Sequence, residues 1–190
     1  MYFKKIIGKK CYLSPINVED YEKYTKWVND MEVAGGLVFA SQLIGPEAEK
    51  SVLERISTSG YNFAIVDIEK DELIGNCGFP SLDCLNRVGE VGLFIGNKDY
   101  WGKGYGQEVL NLMLDFGFNI LNLHNIFLRV YSFNNQAIKC YKKVGFKEAG
   151  RIREAKFVAG KAYDEIFMDI LDTEYTSVYI NNIIDKKLQK

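Results

Sequence analysis

A single histidine, three prolines and no C-x-x-C pair set the first limits on this chain of 190 residues. His124 stands between Leu123 and Asn125 with no patterned His, Cys or acidic ligand nearby, so a metal centre lacks its donors and none is expected. No serine or cysteine sits in a G-x-S-x-G setting, which leaves His124 a loop or strand-edge residue rather than the base of a nucleophile triad. Cys11, Cys77, Cys84 and Cys140 are too scattered for a disulfide framework and read as free thiols in a reducing cytoplasm. Surplus positive charge is also missing. With 24 Lys and Arg against 25 Asp and Glu, the net charge of -1 excludes a general nucleic-acid binder. The stretch 116–128, free of charged residues, falls short of the ~20 residues of a spanning helix and is interrupted by Asn119, Asn122 and Asn125, so no membrane span is expected. Residues 1–10 hold only Ile6 and Ile7 where a secretory leader needs ~7–15 apolar residues.

What remains is an ordinary globular composition, 47% apolar and 26% charged, in a chain whose length and lack of repeats or linkers fit one domain. Residues 12–14 read as a strand stopped by Pro15, with Asn17 capping a helix through Tyr21, Tyr24, Val28 and Met31. Residues 33–44 are apolar and Gly-rich without clear period, and 47–56 regain helical spacing. Three strand-like runs follow at 62–68, 73–79 and 90–95, separated by turn signals at 69–71 and 83–87, and should form an antiparallel meander. Val109, Leu112, Met113, Phe116 and Ile120 keep a 3.6-residue period, 126–133 alternates as a strand, and Asn134 caps a helix ending before Gly145. Residues 157–171 read as two strands joined near Gly160. The expected fold is therefore α/β (α+β), one domain over 11–173 with a mostly antiparallel mixed sheet flanked by helices. Tyr179, Ile183, Ile184 and Leu188 predict a C-terminal helical tail over 174–190, packed on its own domain or serving as a homodimer contact.

Two segments carry chemistry. Trp101-Gly102-Lys103-Gly104-Tyr105-Gly106 places three glycines directly before an amphipathic helix, where backbone N–H groups can converge on an anion at the positive end of the helix dipole. Such glycines also occur simply to pack a helix tightly against a strand. Lys103 is not followed by the Ser or Thr of a P-loop, and the spacing G-x-G-x-G after antiparallel strands is not a dinucleotide fingerprint. The second segment runs from Asn134 through Ala137 and Tyr141 to Gly145-Phe146.

Together the two segments resemble the GNAT superfamily of N-acetyltransferases, through its pyrophosphate motif Q/R-x-x-G-x-G/A at 101–106 and its N-x-x-A-x-x-x-Y-x-x-x-G-F signature at 134–146. The likeness covers roughly residues 12–171 and is greatest to the ribosomal-protein and polyamine acetyltransferase-like branch, through Leu13-Ser14-Pro15, 27–33, 101–106 and 151–171. Trp101 replaces the motif's Gln or Arg, and Ser14 stands where a basic residue is frequent.

The resemblance implies acetyl-CoA as cosubstrate, with no metal, and acetyl transfer to a primary amine on a small molecule such as a polyamine or on a protein N-terminus. It implies that Trp101, Gly102, Lys103, Gly104, Tyr105 and Gly106 cradle the pyrophosphate and that Asn134 touches the coenzyme. Leu93, Phe94 and Ile95 would bond the pantetheine arm where two strands splay at the coenzyme site. Tyr141 would be the acid that protonates the departing thiolate, although helical spacing alone makes it core with Ala137, Ile138 and Val144. Glu90, mid-strand on a face with Gly92 and Phe94, is either a solvated residue or the general base. Asp30, Glu32 and Asp164 are candidates to attract a cationic amine, or are plain surface charge. Cys140 has no neighbour to lower its pKa, which favours direct transfer over an acetyl-cysteine route. A non-catalytic acyl-CoA-binding module is the alternative.

Overall fold

The computed structural model describes residues 1–37 and 41–180. Its contacts divide into two compact units, Met1–Pro80 with Gly92–Val109, and Ser81–Val91 with Leu110–Lys190.

The first unit opens with β1 (Ile6–Ile7), β2 (Cys11–Pro15) and three helices, α1 (Tyr21–Val28), α2 (Met31–Ala34) and α3 (Pro46–Ser57). It continues with β3 (Asn62–Asp67) and β4 (Leu73–Asp83), and β5 (Val88–Ile95) closes the order β1-β2-β3-β4-β5. The β1–β2, β2–β3 and β3–β4 pairs are antiparallel, with Leu13 opposite Ile65 and Tyr12 opposite Val66. Alternation therefore sends Tyr12, Ala64 and Val66 to one face, where they form a core with Tyr24, Trp27, Leu53 and Leu73. The helix expected through Met31 breaks at Asn29, because the Asp30 side chain accepts from the Glu32 N–H at 2.9 Å and starts α2 instead. Ser14, fully buried, accepts from the Phe3 N–H at 3.0 Å, so a basic residue has no room there.

The second unit holds the order β5-β6-β8-β7, from β6 (Asn125–Tyr131), β7 (Lys147–Val158) and β8 (Lys161–Leu171). The helix α4 (Tyr105–Asn119) enters it from the first unit, and α5 (Asn135–Val144) follows β6. Ile126, Leu128 and Val130 pair with Ile170, Met168 and Ile166, all buried, as the alternation in both runs predicts. β5 pairs with β6 in parallel over residues 88–90 and 125–127, in a sheet otherwise largely antiparallel.

Several expectations need correction. β7 begins at Lys147, not near Phe157, because its first nine residues are exposed, five of them charged, and its pairing is interrupted by register shifts, which hides the period of a strand. β1 was not expected, and Ile120 lies half exposed beyond the end of α4. The tail predicted to be helical from Tyr175 is not helical over 175–179, where the Val178 and Tyr179 N–H groups donate to the fully buried Asp115 carboxylate at 3.0 and 2.6 Å. Residues 181–190, with Ile183, Ile184 and Leu188, lie outside the described residues.

Candidate active site

In the first unit a short 3-10 turn (Lys98–Tyr100) delivers the chain to Trp101. The Trp101 indole N–H turns back and donates to the Ile95 carbonyl at 2.8 Å. Its side chain thus ties the loop to the end of β5. Gly102 and Gly104 follow with φ of +70° and +87°, a region that L-residues enter at a cost of roughly 1–2 kcal/mol. Tyr105 then opens α4 with its side chain turned inward. Its hydroxyl donates to Asp67 Oδ1 at 2.5 Å, and its ring meets that of Tyr100 edge-on. Among the described residues no protein acceptor within hydrogen-bonding geometry takes the amides of 102–106, and the next bond closes from the Glu108 N–H to the Gly104 carbonyl at 3.1 Å. Gly102, Lys103 and Gly104 are exposed. The result is a row of open N–H groups at the positive end of a fifteen-residue helix, with Lys103 the cation at its rim.

Glu108 holds this helix start in place. Its Oε1 accepts from the Lys10 and Cys11 N–H groups at 2.6 and 3.1 Å, binding the first turn of α4 to the beginning of β2. Nothing in the local sequence marks Glu108, since its partners lie almost a hundred residues away.

Leu93, Phe94 and Ile95 end β5. A Cβ at Gly75 would overlap the Phe94 carbonyl, so β4 and β5 approach as only glycine allows. The Ile74 carbonyl accepts from both Gly96 and Asn97 N–H, at 2.8 and 3.1 Å, where regular pairing stops. The Phe94 ring packs edge-on to Tyr24 and Trp27, which leaves main-chain groups as what this stretch can offer a ligand.

The second unit holds Glu90, Asn134 and Tyr141. Asn134 Oδ1 accepts from the Ala137 N–H at 3.1 Å, capping α5 and leaving its amide nitrogen as a donor for another contact. Gly145 ends the helix at φ +117°, as expected of a left-handed cap. Tyr141 packs edge-on to Phe146, and among the described residues its hydroxyl has no hydrogen-bond partner. Burial, with a smaller contribution from Cys140, pushes its pKa up to about 12. Burial likewise raises Cys140 above the usual thiol value. Glu90 is not an isolated mid-strand carboxylate. Its Oε1 accepts from Arg129 Nε at 2.8 Å, and Arg129 Nη1 lies 3.7 Å from Glu165.

The remaining candidates are engaged elsewhere. Asp30 and Glu32 both pair with Lys98, and Asp164 takes Arg151 and the Glu154 N–H, while the Glu32 side chain stays 73% exposed. His124 Nδ1 sits 2.9 Å from Asp172, which also meets Arg87 at 3.5 Å, in a surface ion cluster. Among the described residues no group of three or more His, Cys, Asp or Glu is placed to hold a metal, and no helix is long and apolar enough to cross a membrane.

The mixed sheet and its helices define an α/β fold in which a glycine loop with exposed residues directly precedes α4. The chain belongs to the acetyltransferase (GNAT) domain family, whose model matches residues 10–147. It is 34% identical over 113 residues to an uncharacterized N-acetyltransferase of Bacillus licheniformis, covering 60% of this chain and 63% of that protein. It is 34% identical over 113 residues to the spermidine N(1)-acetyltransferase of Vibrio cholerae, covering 60% of this chain and 64% of that one. The matched stretch therefore spans less than two thirds of either relative. In fold it is similar to a crystal structure of spermidine N-acetyltransferase from Vibrio cholerae in complex with CoA and spermine, with TM-score 0.78 over 88% of this chain and 99% of that one at 24% identity. A GNAT acetyltransferase from Bacillus anthracis matches with TM-score 0.77 over 92% and 100% of the two chains at 21% identity.

Proposed function

We propose that this chain is an N-acetyltransferase that moves an acetyl group from acetyl-CoA to a primary amine by direct transfer. The observation that carries the reading is the row of unpaired amides at 102–106, set by two glycines in left-handed conformation, which suits a pyrophosphate. Acetyl-CoA, when bound, supplies the polarised thioester and the thiolate leaving group. The loop amides and Lys103 hold the phosphates. Main-chain N–H groups of residues 93–95 bond the pantetheine arm and polarise the carbonyl, and the Asn134 amide nitrogen adds a contact. Glu90 takes the proton of the attacking amine, directly or through water. Tyr141 gives its hydroxyl proton to the thiolate. Burial pushes the phenol up to about 12, so Tyr141 enters the step protonated. A Cys140 thiol held protonated by burial is a poor acyl carrier, which favours direct transfer. A small-molecule amine, including a polyamine, is the first acceptor class to test, since a relative named for spermidine and a fold neighbour with bound spermine stand among the matches. A peptide N-terminus is the second.

The test mixes protein, acetyl-CoA and a panel of amines and peptides while free thiol is followed, with calorimetry on CoA alongside. Amine-dependent thiol release is expected, and Tyr141→Phe lowers it by ~100-fold with CoA affinity unchanged. Tight CoA binding without turnover on any acceptor reduces the protein to an acyl-CoA-binding module. No CoA binding overturns the reading altogether.

A further inference from the structure

Glu90, the proposed base, sits on β5 with one oxygen already engaged. The parallel register sets Glu90 opposite Phe127, so Arg129, two residues further along β6, projects on the same face and reaches back to Glu90 Oε1 with Nε at 2.8 Å. From the other side β8 supplies Glu165, whose Oε1 lies 3.7 Å from Arg129 Nη1. Glu165 is opposite Tyr131 in the antiparallel register and thus diagonal to Arg129. The guanidinium is spanned between carboxylates on its two flanking strands, and both are largely screened from solvent, with side chains only 15% exposed. The guanidinium donates to Glu90 Oε1 through Nε and lies at ion-pair distance from Glu165 through Nη1, which leaves Oε2 of Glu90 without a hydrogen bond among the described residues.

We propose that Arg129 is a positioning residue for acetyl transfer, anchored by Glu165 and orienting Glu90 so that one defined oxygen receives the proton of the acceptor amine. The proposal rests on the acetyl-transfer reading and on Glu90 as its base. Arg129 itself gives up no proton, because its hydrogen bond to Glu90 holds its pKa above even the ordinary guanidinium value. Its effect runs wholly through Glu90, so it belongs in kcat and not in the binding of coenzyme. Glu165 acts one step further out, by fixing the far edge of the guanidinium.

The experiment measures kcat and KM for acetyl-CoA and for the best acceptor amine in the native protein, Glu90→Gln, Arg129→Met, Arg129→Lys, Glu165→Gln and the double variant Glu90→Gln/Arg129→Met, with calorimetric CoA affinity for each. Expected are a ~10–100-fold fall in kcat for Arg129→Met at unchanged KM for acetyl-CoA, partial recovery in Arg129→Lys or on adding guanidinium ions, and a smaller fall for Glu165→Gln. The double variant should be no slower than Glu90→Gln alone, because Arg129 has nothing to orient once the carboxylate is gone. Equal falls from Arg129→Met in the native and Glu90→Gln backgrounds would mark a structural role and overturn the proposal, as would an unchanged kcat. If Arg129→Met does not fold, Arg129→Lys decides, since it keeps a charge between the two carboxylates while losing the planar fork. An active protein in which Glu90→Gln is silent sinks the assignment of the base, and this proposal with it. An Arg129 result that fails beside a strong Glu90 effect sinks the positioning role alone.

Discussion

Removing Glu108 gives the most direct test of how the helix start is held. Its Oε1 receives two main-chain N–H groups, from Lys10 at 2.6 Å and Cys11 at 3.1 Å. Cys11 is fully buried, so its N–H has no water to turn to, whereas Lys10 is exposed and its amide can be resolvated. A hydrogen bond to a charged acceptor contributes about 1.5–3 kcal/mol, and an orphaned buried N–H costs about 1–3. Glu108→Ala should therefore destabilise by about 2–4 kcal/mol, the Cys11 amide contributing most of it, and lower Tm by roughly 5–15 °C for a chain of this size. Glu108→Gln keeps an acceptor oxygen and loses only the charge assistance, so about 1 kcal/mol is expected. Gly8 supplies an internal control, since a Cβ there would overlap Glu108 Oε1. Gly8→Ala should be costly in the native background and cheaper after Glu108→Ala, although the Cys11 carbonyl at 2.9 Å keeps some of the strain. Equilibrium urea unfolding with unchanged m-values measures all four variants. A Gln variant as damaging as Ala, or an Ala variant within about 0.5 kcal/mol of native, would refute the assignment of these bonds.

Two further outcomes follow from buried groups. Tyr141 and Tyr100 are both pushed up to about 12, chiefly by burial and for Tyr100 also by its bond to Glu72, so their neutral forms are favoured in the fold. A folded value above the unfolded ~10 means that their stability contribution is fully present below pH ~10 and lost as pH climbs toward 12. Spectrophotometric titration should show phenolate absorbance appearing near pH 12 that Tyr141→Phe reduces, and complete titration of every tyrosine near 10 in folded protein would contradict this. Asp115→Ala removes the acceptor of Asn119 Nδ2, Ser177 Oγ and the Val178 and Tyr179 N–H groups. A loss of about 2–4 kcal/mol is expected, with limited proteolysis cutting near residues 175–180 that resist in the native protein, and unchanged cleavage would count against it.

What could be read in advance, and what could not, divides along the range of the forces involved. The capping of α5 by Asn134, the left-handed Gly145 and the glycines at 102 and 104 are consequences of bonds and dihedrals within a few residues, and their residue types announce them. The alternation of Ile126, Leu128 and Val130 announces a strand for the same reason. β7 escaped because an exposed edge strand is under no pressure to alternate, and its charges and register shifts are what keep such an edge from pairing with another chain. The glycine loop was legible as backbone while the side chains that hold it were not. Tyr105 is anchored across 38 residues by Asp67, Glu108 across 98 by Lys10, and Glu90 across 39 by Arg129, and nothing about the partner is written beside any of them. Glu90 shows how such a gap narrows. A carboxylate inside an apolar strand is a local contradiction, and a contradiction that survives in a folded chain needs a compensating charge on an adjacent strand. Among the strand-like runs after the glycine loop, 126–133 holds one cation, and that residue is Arg129. Searching for the partner of an unfavourable residue, rather than for a second motif, would have found it.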